Sequence, residues 1–379
     1  QTTNVNGGAA GALITNAVSN FQANPDLKPE LVEEFEIGVD AGLFEDAVAI
    51  NASVYKRETN DMIVSKGLPT STGFTSTQDN IGEVESDGVE IDVDMNMFKI
   101  LPLSVDGLSW NSRINFTKSE SIVTKQEDEQ ILFGGGVDIG NVAIEGFPLG
   151  TIVGGRIERN DDGEYIVNAA GDYNSEFTIA IDDNGNEVPL GTEGSRQVNA
   201  ILGNPEPDFV MNYINSINYK NFTLGFHFQH VSGGDMYSST IGVLLGRGNV
   251  RSDRRETFVL EGVNADGSPN TIMINNSQYY FTNILNGPAE LSVFDASVIR
   301  LQEVSFAYTF PQEFLDKTPF GELSLTFAGY NLWHDAYNTP EEVNFDPNVA
   351  GAGIGNARGI DYMNGPSTKR YGVSLKASF

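Results

Sequence analysis

Arg370-Tyr371-Gly372-Val373-Ser374-Leu375-Lys376-Ala377-Ser378-Phe379 is the stretch that decides the fold. Tyr371, Val373, Leu375, Ala377 and Phe379 share one parity; Arg370, Gly372, Ser374, Lys376 and Ser378 share the other. Successive strand side chains point to opposite faces, so this alternation predicts a strand with one apolar and one polar face. The split recurs upstream. Leu323, Leu325 and Phe327 oppose Glu322, Ser324 and Thr326, and Phe222, Leu224, Phe226 and Phe228 oppose Thr223, Gly225, His227 and Gln229. Phe209, Met211, Tyr213, Ile217 and Tyr219 share a face, as do Leu108, Trp110, Ile114 and Phe116 against Asn111, Arg113, Asn115 and Thr117. Val89, Ile91, Val93, Met95 and Met97 oppose Glu90, Asp92, Asp94 and Asn96. Phe35, Ile37, Val39 and Ala41 oppose Glu34, Glu36, Gly38 and Asp40, while Val48, Ile50, Ala52 and Val54 form one face of 46–60. Segment 296–310 is noisier, with Val304, Phe306, Tyr308 and Phe310 on one side.

About nine strands of roughly 9–16 residues follow, long enough to cross a bilayer when tilted and longer than the usual globular strand. Connections alternate in length. Short ones fall near 42–45, 98–106, 220–221 and 311–320; long ones span 61–79, 121–207, 233–295 and 333–369. Short turns on one side and long loops on the other are the habit of an outer-membrane barrel. Aromatics gather at strand ends (Tyr55, Phe98, Trp110, Tyr219, Phe222, Phe310, Phe320, Tyr330, Trp333, Tyr371), as two interfacial girdles would require. The expected fold is therefore all-β, a transmembrane antiparallel up-and-down β-barrel.

Composition is compatible with that fold. With 22 Lys+Arg against 52 Asp+Glu, the net charge of −30 opposes the basic footprint of a nucleic-acid binder, and no nucleic-acid partner is expected. There is no Cys, hence no disulfide framework or thiolate metal site. No apolar run reaches the roughly 18 residues of a membrane helix, which says nothing against a membrane strand. The chain opens on Gln1 without an apolar leader, so either a leader was removed or the chain is a piece of something longer.

Several motifs, taken in order, resemble the SusC/RagA family of TonB-dependent transporters. Asn24-Pro25-Asp26-Leu27-Lys28-Pro29-Glu30 precedes Glu34-Phe35-Glu36-Ile37-Gly38-Val39-Asp40. Val54-Tyr55-Lys56-Arg57-Glu58-Thr59-Asn60-Asp61-Met62-Ile63 follows, then Asn80-Ile81-Gly82-Glu83-Val84 and Gly88-Val89-Glu90. Next come Gly146-Phe147-Pro148-Leu149-Gly150 and Gly203-Asn204-Pro205-Glu206-Pro207-Asp208-Phe209. Val298 to Phe306, Gly329-Tyr330-Asn331-Leu332, Asp346-Pro347 and the terminal Phe379 close the series. The resemblance implies residues 1–379 are the C-terminal portion of a 22-stranded plugged barrel. It implies location in the bacterial outer membrane, energy from a TonB system acting through the plug, contact with outer-membrane lipid and a SusD-like surface lipoprotein partner. It implies import of a nutrient, a glycan (oligosaccharide) or a peptide. The plug, the TonB contact and the earlier strands fall outside this chain, as expected of a fragment or one chain of a split transporter.

The polar parity supplies the lumen-facing candidates: Glu90, Asp92, Asp94, Asn111, Arg113, Asn115, His227 and Gln229, with Glu34, Glu36 and Asp40 beside them. Phe379 is the candidate barrel-assembly signal, a C-terminal aromatic closing an alternating strand. Asp182-Asp183-Asn184-Gly185-Asn186-Glu187 invites a Ca²⁺ reading, but Glu187 stands where the loop needs Gly, so a hairpin turn at Asn184-Gly185 is preferred. Asn160-Asp161-Asp162-Gly163 and Ala265-Asp266-Gly267 are further hairpin signals. His227 and His230 fall on opposite strand faces and cannot share a metal; His334 is read as lying alone in a loop. Arg251, Arg254 and Arg255 form a small basic cluster. No catalytic motif and no cofactor or metal site is expected. Two other readings stand beside the importer: a soluble β-rich extracellular binding protein (adhesin or lectin-like), and a carbohydrate-active enzyme on a β scaffold, for which no carboxylate pair is located.

Overall fold

A computed structural model describes residues 2–4, 14–16, 20–101, 105–126, 131–135, 139–250, 257–340, 343–349 and 358–379. Nine long strands form one antiparallel sheet, each hydrogen-bonded to the next in chain order. They are β1 (Leu31–Leu43), β2 (Val48–Gly67), β3 (Ser76–Asn96), β4 (Leu108–Gln126) and β5 (Phe209–Tyr219). Then follow β6 (Phe222–Ser232), β7 (Val298–Thr309), β8 (Glu322–Asp335) and β9 (Arg370–Ser378). The expected up-and-down all-β wall is present, and among the described residues β1 and β9 have no further strand on their outer edges.

Local chemistry sets the turns. Phe44, Glu45 and Asp46 are left-handed, with φ of 54°, 56° and 58°, and close β1 onto β2. Lys220, also left-handed at φ 54°, begins the two-residue turn between Tyr219 and Phe222. Gly88 stands where β3 passes the Tyr55 ring: a Cβ there would lie 2.5 Å from the ring.

Strand lengths depart from expectation. The wall strands run from 9 to 21 residues, so the 61–79 connection shrinks to 68–75. The period-2 signal fails there because the β2–β3 register shifts twice between Thr59 and Ile63, and Asp61 is left-handed at φ 55°. At such a bulge the side-chain parity changes although the strand continues. A second bulge, between Leu301 and Glu303 opposite Asn331 (φ 51°), explains the noise in 296–310. Strand β8 runs on to Asp335, so His334 belongs to the wall rather than a loop.

The long connections are not bare loops. Segments 131–135, 139–143, 151–154 and 201–203 form a four-stranded sheet, and 178–181 pairs with 187–188 and 196–199. Asp235–Ser238 pairs antiparallel with Val293–Asp295 and parallel with Ile360–Asp361. This cap holds most of the buried core, with Val142, Ile144, Val153, Ile179, Ile181, Val198 and Ala200 in one cluster. A second cluster ties Ile131 and Ala143 to Val64, Ile81, Val84 and Val123 at the long-connection ends of β2, β3 and β4. Towards the short turns the wall leaves large apolar side chains exposed: Val39 is 60% exposed and Leu375 66%.

Candidate functional site

The pairing registers align polar residues across the wall. Asp40, Asn51, Asp92, Asn115, Asn212, Gln229, Arg300 and His334 stand opposite one another in turn, a continuous row from β1 to β8. One step along, Asp94, Arg113, His227, Glu303, Tyr330 and Arg370 form a second row reaching β9, interrupted on β5 by Ile214. The rows are cross-linked. Arg113 donates through Nε to Asp94 Oδ1 at 2.6 Å and through Nη2 to Oδ2 at 3.0 Å. Asn115 donates to Asp92, and Asn51 to Asp40 at 2.5 Å. His227 Nε2 pairs with Asn212 Oδ1 at 2.9 Å, and Gln302 donates to Gln229 at 2.8 Å.

The opposite face is apolar. Ala41, Ile50, Val93, Ile114, Tyr213 and Phe228 share a row, and Val39, Ala52, Ile91, Phe116 and Met211 the next, ending at His230. Aromatics close this face at both ends. At the long-connection end, Phe209 packs on Phe116 at 5.5 Å and on His230 at 5.2 Å, and His230 Nε2 meets Tyr337 Oη at 2.9 Å. At the short-turn end, Tyr308 packs on Phe222 at 4.9 Å and on Phe310 at 5.1 Å, and Phe320 on Phe379 at 5.1 Å. From Phe222 to His230 is about 27 Å along the strand; a tilt of roughly 40° reduces this to about 21 Å, comparable to the roughly 25 Å apolar band of a membrane barrel.

Polar side chains also occur on the apolar face, Ser112 and Asn215 among them. Asn215, buried, accepts from Trp110 Nε1 at 2.8 Å and from the Ser112 hydroxyl at 2.5 Å. The indole thereby caps the amide oxygen.

All eight sequence-derived polar candidates lie on the polar face. Glu90, Asp92, Asp94, Asn111, Arg113 and Asn115 cluster on the adjoining β3 and β4, and Asn212 links this group to His227 and Gln229. Sequence reading missed Asn212, although it alternates with Met211 and Tyr213. It also missed Arg300 and Gln302, which the bulge displaces from a simple alternation. His227 and His230 stand on opposite faces, as expected. Asp182 serves a hairpin: its Oδ1 accepts from the Asn184 and Asn186 N–H groups, both at 2.9 Å, and Gly185 has φ 80°. Those donors hold the Asp182 carboxyl below its usual range. Asn160–Gly163 and Asn264–Gly267 close in the same way. Among the described residues no three His, Asp or Glu side chains are grouped to hold a metal. Arg251, Arg254 and Arg255 lie outside the described residues.

Ion pairs brace the cap. Arg156 joins Glu187 and Glu176, raising its own pKa and holding Glu187 below the usual carboxylate range. Arg159 reaches Glu290. Burial pushes the Tyr173 phenol up to about 12 and raises the Glu206 carboxyl, although Glu206 accepts from the Ser121 N–H at 3.1 Å.

The barrel model described as "TonB dependent receptor-like, beta-barrel" matches residues 3–152. TonB-dependent receptor P3 of Formosa agariphila is 25% identical over 380 residues, covering 94% of this chain and 35% of the relative. SusC of Bacteroides thetaiotaomicron is 23% identical over 214 residues, 54% of this chain and 19% of SusC. The chain thus spans about a third of the length of the first of these relatives. Its fold matches the structure of the RagAB peptide transporter with a TM-score of 0.62 at 17% identity, covering 100% of this chain and 38% of that one.

Proposed function

We propose that this chain, which resembles a stretch of a SusC/RagA-type TonB-dependent receptor barrel of the bacterial outer membrane, supplies wall and mouth to a nutrient importer. The observation that carries the reading is the two-faced sheet. An apolar face bounded by aromatics suits lipid, and the in-register polar rows suit a water-filled lumen. Glu90, Asp92, Asp94, Asn111, Arg113, Asn115, His227 and Gln229 then line that lumen, and the braced cap forms the extracellular mouth.

The edges of β1 and β9 each need a partner, because an unpaired backbone N–H or C=O in hydrocarbon costs several kcal/mol. We assign those partners to the remaining strands of a 22-stranded barrel, and the plug that contacts TonB to residues outside 1–379. A SusD-like surface lipoprotein covers the mouth, and the cargo is an oligosaccharide or a peptide.

The test is uptake by living cells. Labelled oligosaccharides and labelled peptides are offered to cells with and without the receptor gene, and with and without a protonophore. Loss of uptake of one class on gene deletion and on protonophore treatment is expected. Unchanged uptake of both classes in the deletion strain contradicts the proposal.

A further inference from the structure

Three Asn-Gly pairs lie among the described residues: Asn184-Gly185, Asn286-Gly287 and Asn364-Gly365. Such a pair can react with itself, because glycine has no side chain to hold its backbone nitrogen away from the preceding side-chain amide. The fold gives the three glycines different surroundings. Gly185 sits in a closed hairpin, where its N–H donates to the Asp182 carbonyl at 3.0 Å. Gly287 is enclosed by backbone: a Cβ there would lie 2.5 Å from the Asn283 carbonyl oxygen and 2.6 Å from that of Thr282. Gly365 has open space, with nothing within 4 Å of a Cβ built on it, and its N–H meets no acceptor among the described residues. Asn364 and Gly365 are both exposed.

The pair adjoins a tie within the cap. Asp361 is 0% exposed. Its Oδ2 accepts from the Ser238 hydroxyl at 2.7 Å and from the Thr240 N–H at 3.1 Å, and its Oδ1 accepts from the Asn364 N–H at 2.8 Å. It thereby joins 360–364 to the strand Asp235–Ser238 and to the helix Ser239–Gly246 that follows.

We propose that Asn364 is a site of spontaneous deamidation and that its conversion loosens this tie. Hydroxide takes the Gly365 amide proton, and the nitrogen attacks Asn364 Cγ. The N–Cγ bond forms, the Cγ–Nδ2 bond breaks, and ammonia leaves with a proton from water, closing a succinimide ring. Water then opens the ring at either carbonyl, giving aspartate or isoaspartate. In isoaspartate the free carboxylate sits on the same Cα as the N–H that Asp361 accepts from, so a like charge weakens that bond. The inference stands on the geometry of the cap, so its fate is separate from that of the import reading.

The test is storage of the detergent-purified full receptor chain in mildly alkaline and mildly acidic buffer. Peptide mass spectrometry follows the three asparagines, and enzymatic methyl labelling detects isoaspartate. In the folded chain Asn364 is expected to convert severalfold faster than Asn184 and Asn286, and faster in alkali than in acid. In the urea-unfolded chain the three rates converge. Gly365→Ala, whose methyl group fits the open space, slows conversion severalfold. After conversion the Thr240 amide undergoes hydrogen exchange severalfold faster. Equal rates at the three sites in the folded chain overturn the proposal, as does the same preference for Asn364 in urea. So does wild-type conversion in Gly365→Ala, or unchanged Thr240 exchange in the converted chain.

Discussion

Arg113 and Asp94 face each other across β4 and β3 and are joined by two parallel hydrogen bonds of 2.6 and 3.0 Å. Both side chains are about half exposed, at 53% and 49%. A pair so wet contributes little, so Asp94→Asn is expected to change unfolding free energy by about 1 kcal/mol or less. Urea unfolding of the protein in lipid vesicles measures this. A loss of several kcal/mol would mean that the polar rows are dry.

A nearby residue on the other face of β3 should behave in the opposite way. Ile91 lies on the apolar face, so Ile91→Arg puts a charge into hydrocarbon and is expected to cost about 2–4 kcal/mol, whereas Asp92→Arg stays on the watered side and costs less than about 1 kcal/mol. The same unfolding experiment reads both.

How much of this was legible beforehand depended on how regular each strand is. β9 alternates without a break from Tyr371 to Phe379, and its place and faces follow from sequence alone. β2 does not, because the bulge before Met62 changes which side chain points where. Asn215 breaks the apolar parity of β5, and only the three-dimensional contact with Trp110 and Ser112 shows what its amide oxygen meets. Arg300 and Asp346 are far apart in sequence, and no local pattern announces that the 343–349 segment folds over the wall.

The C-terminal aromatic can be examined by assembly. Phe379 is 90% exposed and touches Phe320. Read as the assembly signal, Phe379→Ala is expected to lower the folded, heat-modifiable fraction in outer membranes severalfold, with Phe320→Ala having a much smaller effect. Equal losses in both variants would assign Phe379 to packing alone.

The cap carries a pH signature. Burial raises the Glu206 carboxyl above its ordinary value of 4.5, so its contribution is present below that value and is lost as pH rises through the folded pKa. Glu187, held low by Arg156, acts in reverse: its contribution is present above 4.5 and is lost as pH falls through its folded pKa. Melting temperature in detergent is therefore expected to rise on acidification from pH 7 towards about pH 4.5, then fall. Glu206→Gln should remove the rise, and Glu187→Gln should blunt the fall.

The most direct test of the central claim, that β3 has one face in lipid and one in water, is a labelling scan. The chain has no Cys, so single Cys substitutions at 89–94 each carry a lone thiol. In vesicles containing brominated lipid, fluorophores at 89, 91 and 93 are expected to be quenched, while 90, 92 and 94 react with a charged aqueous maleimide. Quenching without a period of two, or with the opposite parity, would contradict the account.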